Sequence, residues 1–421
     1  MVQLTLSNGL RIVHKHSDSA VGYCGFMVDC GSRNELSPEL YGIVHFIEHI
    51  IFKGTKNRDS WHINNRMESV GGELNAFTTK EETTFYAAFL HEDFSRACEL
   101  LCDLVCNATA PQHELEHEQD VVIEEIESYL DTPTELIFDE FENRVFASHP
   151  LGHNILGSEA TVHGFDSKRC LDFIDRHYTP DRMVFFSYGK TPFNRVINTV
   201  ERFFHNERAA RGSASNTPAT LSTKISTDVD NSSAVINSIQ NPEIIVHDTH
   251  QAHVIIGARS YHIGSPKSAA LAIINNLLGG PGMNSRLNRE LREKRGLVYT
   301  VEGNISNYTD SGYQSIYFGC DPHDMRRCID LCHNQLRKMY DTKMSPKQLQ
   351  AAQKQLKGQI GVATANMENM AIAMAKNILR LGKVDTIEET CARIDNVTCL
   401  QIQEVAYEVF APEKLHCVVI R

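Results

Sequence analysis

The sequence predicts an α+β fold of two duplicated domains, each a mainly antiparallel β-sheet packed with helices. Three observations predict it. The 421 residues exceed what one ordinary hydrophobic core accommodates. Strand-like segments occur as hairpins beside helices, which favours antiparallel sheets over alternating βα units. The same order of elements also occurs twice, about 200 residues apart, as an internal duplication would produce.

The first half begins with a predicted hairpin, because residues 4–15 alternate in polarity around Asn8-Gly9, a strong two-residue turn signal. Further strands are predicted over residues 23–28 and 74–89, which are rich in aromatic or β-branched residues. Helices are predicted from the period of the apolar residues, over residues 41–52, 63–70, 92–106 and 114–130. Pro133 follows the last of them, and proline cannot continue a helix.

The second half repeats this order. A strand at residues 252–258 precedes a helix that ends at Gly279-Gly280, a second helix, and a strand pair over residues 297–318. Both halves close with a proline turn and a last strand, around Pro180 in the first and Pro412 in the second.

Between the halves, from residue 208 to about residue 238, Ser, Thr, Asn and Ala replace large apolar residues, as in a linker. We therefore predict a first domain over residues 1–210, a linker over residues 211–240 and a homologous second domain over residues 241–421.

The composition argues against two classes of partner. A net charge of −12 gives no general attraction to phosphate backbones, so nucleic acid is not expected as a partner. No apolar run reaches the roughly 18 residues that span a bilayer, so no membrane association is expected. The first residues lack a basic segment followed by an apolar block, which predicts a cytoplasmic protein.

The segment His45-Phe46-Ile47-Glu48-His49 lies within the helix predicted at residues 41–52. Residues four apart share a helix face, so both imidazoles can bind one ion. Glu48 lies beside them and can reach a water molecule on that ion, as the general base of a hydrolase must. Catalytic zinc keeps three protein ligands and one open position, so a third ligand is required from another element.

The helix predicted at residues 114–130 can supply that third ligand. Glu118 and Glu125 lie seven residues apart and therefore on one face. We predict Glu125 as the ligand and Glu118 as a group that orients or polarises another ligand. Spacing alone leaves Glu124 as an alternative to Glu125.

Three segments resemble the zinc-binding region of the pitrilysin-like metallopeptidases, the inverzincins with an HxxEH motif: residues 43–55, 71–78 and 120–133. The resemblance is closest to the two-domain branch of mitochondrial processing peptidase β and its bacterial homologues. In this family the third ligand is the glutamate directly before an aliphatic residue, which indicates Glu125. The family's supporting glutamate, seven residues earlier, falls on Glu118.

The resemblance implies a zinc metalloendopeptidase that hydrolyses peptides or unfolded polypeptides, with Glu48 as general base. Residues 285–299 resemble the family's domain without metal, whose arginine and tyrosine face the substrate; they fall on Arg292 and Tyr299. For Arg292, the residues alone favour an ordinary surface charge.

The segment Asn75-Ala76-Phe77 is the predicted substrate-binding strand, to which an extended peptide would add as a further strand. A fully paired inner strand is the alternative for this segment.

The resemblance also implies a dimer, because some relatives carry four such domains in one chain. The metal ligands and the Arg292–Tyr299 pair both lie on this chain, which favours a homodimer. A heterodimer with a related subunit is the alternative. Two other functions stay open at this stage: a catalytically silent scaffold or assembly subunit of the same fold, and a peptide-binding module with structural zinc.

Overall fold

The computed structural model describes residues 1–204 and 239–421, whose strands form two separate sheets. The predicted linker lies outside the described residues, apart from residues 239 and 240. In chain order the strands are β1 Val2–Thr5, β2 Arg11–His16, β3 Val21–Val28, β4 Glu73–Thr78, β5 Thr83–Leu90, β6 Met183–Gly189, β7 Glu243–Ile245, β8 Ala252–Ser260, β9 Val298–Asn307, β10 Gly312–Cys320 and β11 His416–Ile420.

Helices cover the sheets. In chain order they are α1 Ile43–Ile51, α2 Ser60–Glu68, α3 Phe94–Asn107, α4 Gln112–Leu130, α5 Pro133–Val145, α6 Glu159–Val162, α7 Ser167–His177, α8 Phe193–Phe203, α9 Ser268–Gly279, α10 Met325–Asp341, α11 Pro346–Ala363, α12 Met367–Leu381, α13 Ile387–Asp395 and α14 Cys399–Phe410. A short π-helical segment, Asn288–Glu293, stands where a further helix was predicted. Across the described ranges, none of these helices has the length and apolar character needed to cross a bilayer.

The two sheets share a five-strand topology, and the first has β1 as an additional edge strand. The first has the strand order β1-β2-β6-β3-β5-β4 and the second β7-β11-β8-β10-β9. In each, one pair is parallel, β2 with β6 and β11 with β7, and the other pairs are antiparallel. The predicted hairpin of β1 and β2 is present, and its Gly9 has φ +93°, which glycine tolerates best. The predicted α+β class with two duplicated, mainly antiparallel sheets is confirmed.

The described chain divides into two units that differ from the predicted halves in two segments. The first unit contains residues 1–128, 153–204 and 364–384; the second contains residues 129–152, 239–363 and 385–421. Helix α5 thus belongs to the second unit and helix α12 to the first, although each comes from the other half of the sequence.

Strand alternation explains the position of these two helices. Neighbouring residues of a strand point to opposite faces, so each sheet has a second apolar face. In the first unit, Val13, Met27 and Phe186 form that face and pack against Met374 and Ile378 of α12. In the second unit the equivalent face packs against α5, with the buried residues Ile255, Tyr317, Val418, Ile137 and Phe141. Each sheet is therefore buried on both sides.

Candidate metal centre

Helix α1 carries the paired histidines and is anchored in the core by its apolar residues, all fully buried: Ile43, Val44, Phe46, Ile47, Ile50 and Ile51. His45 and His49 lie one turn apart, with their ring centres 4.8 Å from each other. His45 is buried and His49 is half-buried. A rigid apolar helix therefore holds both imidazoles on one side, as the i, i+4 spacing predicts.

Glu35 fixes the start of α1. Its carboxylate accepts hydrogen bonds from the backbone N–H groups of Gly42 and Val44, each at 2.9 Å, and its side chain is fully buried. The His153 ring contacts the same carboxylate at 3.0 Å. This role was not predicted from the sequence, because Glu35 lies seven residues before the helix cap at Gly42, beyond the spacing of recognised capping patterns.

Helix α4 brings Glu125 to the two histidines. Its Oε1 is 3.7 Å from His45 Nε2, and its Oε2 is 3.4 Å from His49 Nε2. The ligand atoms of these three residues lie within 4.8 Å of one another, and in the described ranges no other set of three or more His, Cys, Asp or Glu residues converges in this way. Glu124, the alternative left open by spacing, is exposed and is not in the group.

The distances suit a zinc ion. Atoms bound to one zinc at about 2.0–2.1 Å with tetrahedral angles stand about 3.4 Å apart. The two measured nitrogen–oxygen separations, 3.4 and 3.7 Å, are close to this value. Two imidazoles and one carboxylate are also a donor set that catalytic zinc uses, with a fourth position open. His45, His49 and Glu125 therefore fit the metal that the motif predicts.

Glu118 lies next to this group. It is buried, and its Oε2 lies 3.2 Å from His49 Nδ1. Lys53 Nζ contacts its other oxygen at 2.5 Å. Burial raises the pKa of Glu118, but its hydrogen bonds to His49 and Lys53 outweigh burial and lower it. An ionised Glu118 that holds Nδ1 leaves His49 Nε2 directed at the metal position. The contribution of Lys53 was not predicted.

Glu48 lies beside the group with its carboxylate mostly buried. Burial raises its pKa, and the hydrogen bond from Thr78 offsets part of this effect. The Thr78 hydroxyl donates to Glu48 Oε2 at 2.5 Å. A carboxyl with a raised pKa is a stronger general base than an ordinary exposed glutamate.

The predicted substrate strand lies at an edge of the first sheet. Asn75, Ala76 and Phe77 belong to β4, which among the described residues pairs with β5 alone. The alternative of a fully paired inner strand is therefore wrong. Thr78, the last residue of β4, is the donor to Glu48, so this edge of the sheet ends next to Glu48.

Arg292 and Tyr299 lie in the second unit and are close to each other. The guanidinium of Arg292 stands 5.5 Å from the centre of the Tyr299 ring, and Tyr299 is 80% exposed. Both line a cavity of about 390 Å³ that also includes Asn288 and Glu302. The structure thus brings these two residues together, and their role toward the substrate stays a prediction.

Zinc binding is expected to strengthen with pH. Burial lowers the pKa of His49, but hydrogen bonds to Glu118 and Glu125 outweigh it and raise the pKa to about 9. Burial lowers the pKa of His45 to about 4, so that ring is already neutral. Below pH 9 the metal must displace one proton, from His49.

Competition titrations against a chromophoric chelator should therefore show affinity rising by about tenfold per pH unit from pH 6 to 9 and levelling above. A flat profile between pH 6 and 9 would contradict this assignment of the proton.

Comparisons with known proteins identify relatives of this chain. The family model described as Insulinase (Peptidase family M16) matches residues 11–159, and the model described as Peptidase M16 inactive domain matches residues 165–356. A Bacillus subtilis (strain 168) protein named uncharacterized zinc protease YmxG is 30% identical over 97% of this chain and 95% of its own length. A Mycobacterium leprae (strain TN) protein named uncharacterized zinc protease ML0855 is 32% identical over 96% of this chain and 88% of its own length.

A solved structure shows the same fold. The crystal structure of a protease from Helicobacter pylori superposes with a TM-score of 0.85 at 19% identity, covering 100% of this chain and 99% of the other. The specific resemblance to mitochondrial processing peptidase β stays a prediction. The family models match 341 residues in two segments that include the whole metal centre. The chain therefore belongs to peptidase family M16, the pitrilysin-like family that its motifs predict.

Proposed function

We propose that this chain is a zinc-dependent metalloendopeptidase that hydrolyses peptide bonds in extended peptides or unfolded segments. The observation that carries the proposal is the convergence of His45, His49 and Glu125, with Glu48 beside them. Membership of peptidase family M16 and the printed names of relatives as zinc proteases support it.

The chain's own residues suit the steps of peptide hydrolysis. Zinc, when bound, supplies a Lewis acid and lowers the pKa of water toward about 7. Glu48 accepts a proton from the attacking water and passes it to the leaving amine. Thr78 occupies Oε2 of Glu48, which leaves Oε1 for this proton. Glu118 holds His49 in orientation throughout.

The substrate is proposed to add to the open edge of β4. Backbone hydrogen bonds along Asn75, Ala76 and Phe77 would hold an extended peptide with little demand on its sequence. This favours peptides and unfolded segments, because a folded protein offers few free strands. Arg292 and Tyr299 are proposed to contact the substrate carbonyl, and the assignment of the metal centre does not depend on them.

A peptide-library digest tests this function. Unstructured peptides are expected to be cut at internal bonds, a chelator to abolish cutting, and one equivalent of zinc to restore it. A tightly folded protein serves as the control and should stay intact. A chain that binds one zinc and cuts no peptide would instead support a silent scaffold subunit or a binding module with structural zinc.

A homodimer is proposed as the assembled form, with a heterodimer with a related subunit as the alternative. The support is the presence of the metal group and of the Arg292–Tyr299 pair on one chain. Sedimentation velocity is expected to give twice the mass of one chain. A monomer with full activity would contradict it.

A further inference from the structure

The carboxylate of Glu48 is held by one side chain. Among the described residues, its hydrogen-bond donor is the Thr78 hydroxyl, 2.5 Å from Oε2. Thr78 ends β4, and the next four residues form the turn into β5. The position of this hydroxyl is therefore set by the turn, whose geometry determines where Glu48 can lie.

The turn is closed by its own hydrogen bonds. Thr79 N–H donates to the carbonyl of Glu82 at 2.8 Å, and the Thr79 hydroxyl oxygen accepts from the N–H of Glu82 at 3.1 Å. Lys80 Nζ donates to the carbonyl of His153, and the His153 ring contacts Glu35, which caps α1. The turn thus also connects to the helix that carries Glu48.

Helix α12 holds the turn from the other side through ion pairs with the buried Glu82. Lys376 Nζ lies 2.6 Å from Glu82 Oε1, and Arg380 Nη2 lies 3.0 Å from Glu82 Oε2. Arg380 Nη2 also donates to the carbonyl of Glu81 at 2.7 Å. The Glu82 side chain is 2% exposed and that of Arg380 is 7% exposed. A buried ion pair is costly to break, because the remaining charge has no solvent to replace its partner.

We propose that Thr78 is a positioning residue for Glu48, and that α12 holds Thr78 in place through Lys376 and Arg380. This inference rests on the proposed function of Glu48. A glutamate side chain has three rotatable bonds, and an unrestrained carboxylate reaches the attacking water only part of the time. The hydrogen bond from Thr78 removes this freedom. Its loss should lower turnover and leave metal binding and substrate binding intact.

Thr78→Val tests the first step, because valine keeps the shape of threonine and removes the hydroxyl. We expect kcat to fall by about 10- to 100-fold, because a small misplacement of a catalytic group slows the reaction by such factors. KM should stay within about twofold of the value for the unaltered protein. One zinc per chain should remain bound. Thr78→Ser restores the hydroxyl and should recover most of kcat. An unchanged kcat in Thr78→Val, or a loss of zinc from it, would overturn the inference.

Thr84→Val is the matched control. Thr84 lies on the neighbouring strand β5, is fully buried, and its hydroxyl has no hydrogen-bond partner in the described part of the chain. This substitution makes the same chemical change at a neighbouring position, which is more deeply buried than Thr78. Activity, zinc content and KM should all equal those of the unaltered protein. A loss of kcat equal to that of Thr78→Val would show a general packing effect and overturn the specific role of Thr78.

A second readout needs neither metal nor activity. In the metal-free protein, Thr78→Val should lower the melting temperature, because Glu48 loses its donor. In the background of Glu48→Ala the same substitution should have a clearly smaller effect, since the pair is already broken. If the two substitutions shift the melting temperature additively, the contact between Thr78 and Glu48 is contradicted. If the protein proves to have no peptidase activity, the proposed function fails, while this coupling still tests the contact itself.

Lys376→Met tests the role of α12 while Arg380 keeps its contact with Glu82. We expect kcat to fall by a smaller factor than in Thr78→Val, with zinc content unchanged. Lys357→Met is the control, because Lys357 has a similarly half-exposed side chain and an ion pair with Asp395 in the second unit. An unchanged kcat in Lys376→Met would overturn the part assigned to α12.

Discussion

Glu48→Gln is expected to lower kcat by about 10²- to 10⁴-fold, the usual contribution of a general base, while one zinc stays bound per chain. Glutamine has the same size and can still accept the hydrogen bond from Thr78, but its amide cannot take a proton from water. The Glu48 carboxylate is not one of the three groups that converge on the metal position, so the ligand set is unchanged. The measurement is steady-state kinetics on peptide beside metal analysis of the same sample.

Glu127→Gln is the control for this substitution, because Glu127 is an exposed glutamate on α4 outside the metal group. It should cut peptides at the rate of the unaltered chain. If zinc-loaded Glu48→Gln cleaves peptides at a normal rate, Glu48 is not the general base.

The second large effect is expected from Glu125→Gln, which should lose zinc and, with it, activity. Removing a residue that only hydrogen-bonds to a metal ligand lowers the affinity for the metal by about 10- to 100-fold, and removing a ligand itself should lower it further. The carboxylate also supplies the only negative charge among the three donors. Equilibrium dialysis against zinc and a peptide assay at saturating metal measure the two effects.

Glu124→Gln is the matched control, since it makes the same chemical change one residue away at an exposed position outside the metal group. It should retain zinc and activity. The reverse pattern, with zinc lost from Glu124→Gln and kept by Glu125→Gln, would assign the third ligand to Glu124.

Local patterns in the sequence account for much of the fold and for the metal group. Asn8-Gly9 predicts the β1–β2 hairpin, because a turn signal between two segments of alternating polarity pairs strands that are close in sequence. The i, i+4 spacing predicts that His45 and His49 share a face, because helix geometry is the same everywhere. Periodicity alone did not distinguish Glu124 from Glu125; the family resemblance did.

Contacts between distant segments could not be predicted in the same way. Glu35, Lys53 and Thr78 each support a residue of the centre through a contact that depends on where separate elements meet. The positions of α5 and α12 likewise depend on contacts between segments that are distant in the sequence. An amphipathic pattern shows that a helix buries one face, but it does not identify the sheet that receives it.

The placement of α12 has a consequence for the order in which the chain can fold during synthesis. Multidomain proteins commonly fold from the N-terminus as each domain leaves the ribosome. Here the apolar face formed by Val13, Met27 and Phe186 of the first sheet has no cover until α12, which ends at Leu381, has been synthesised. The N-terminal sheet therefore keeps one apolar face uncovered during synthesis until the chain reaches a helix that begins at Met367, 178 residues after its last strand ends at Gly189.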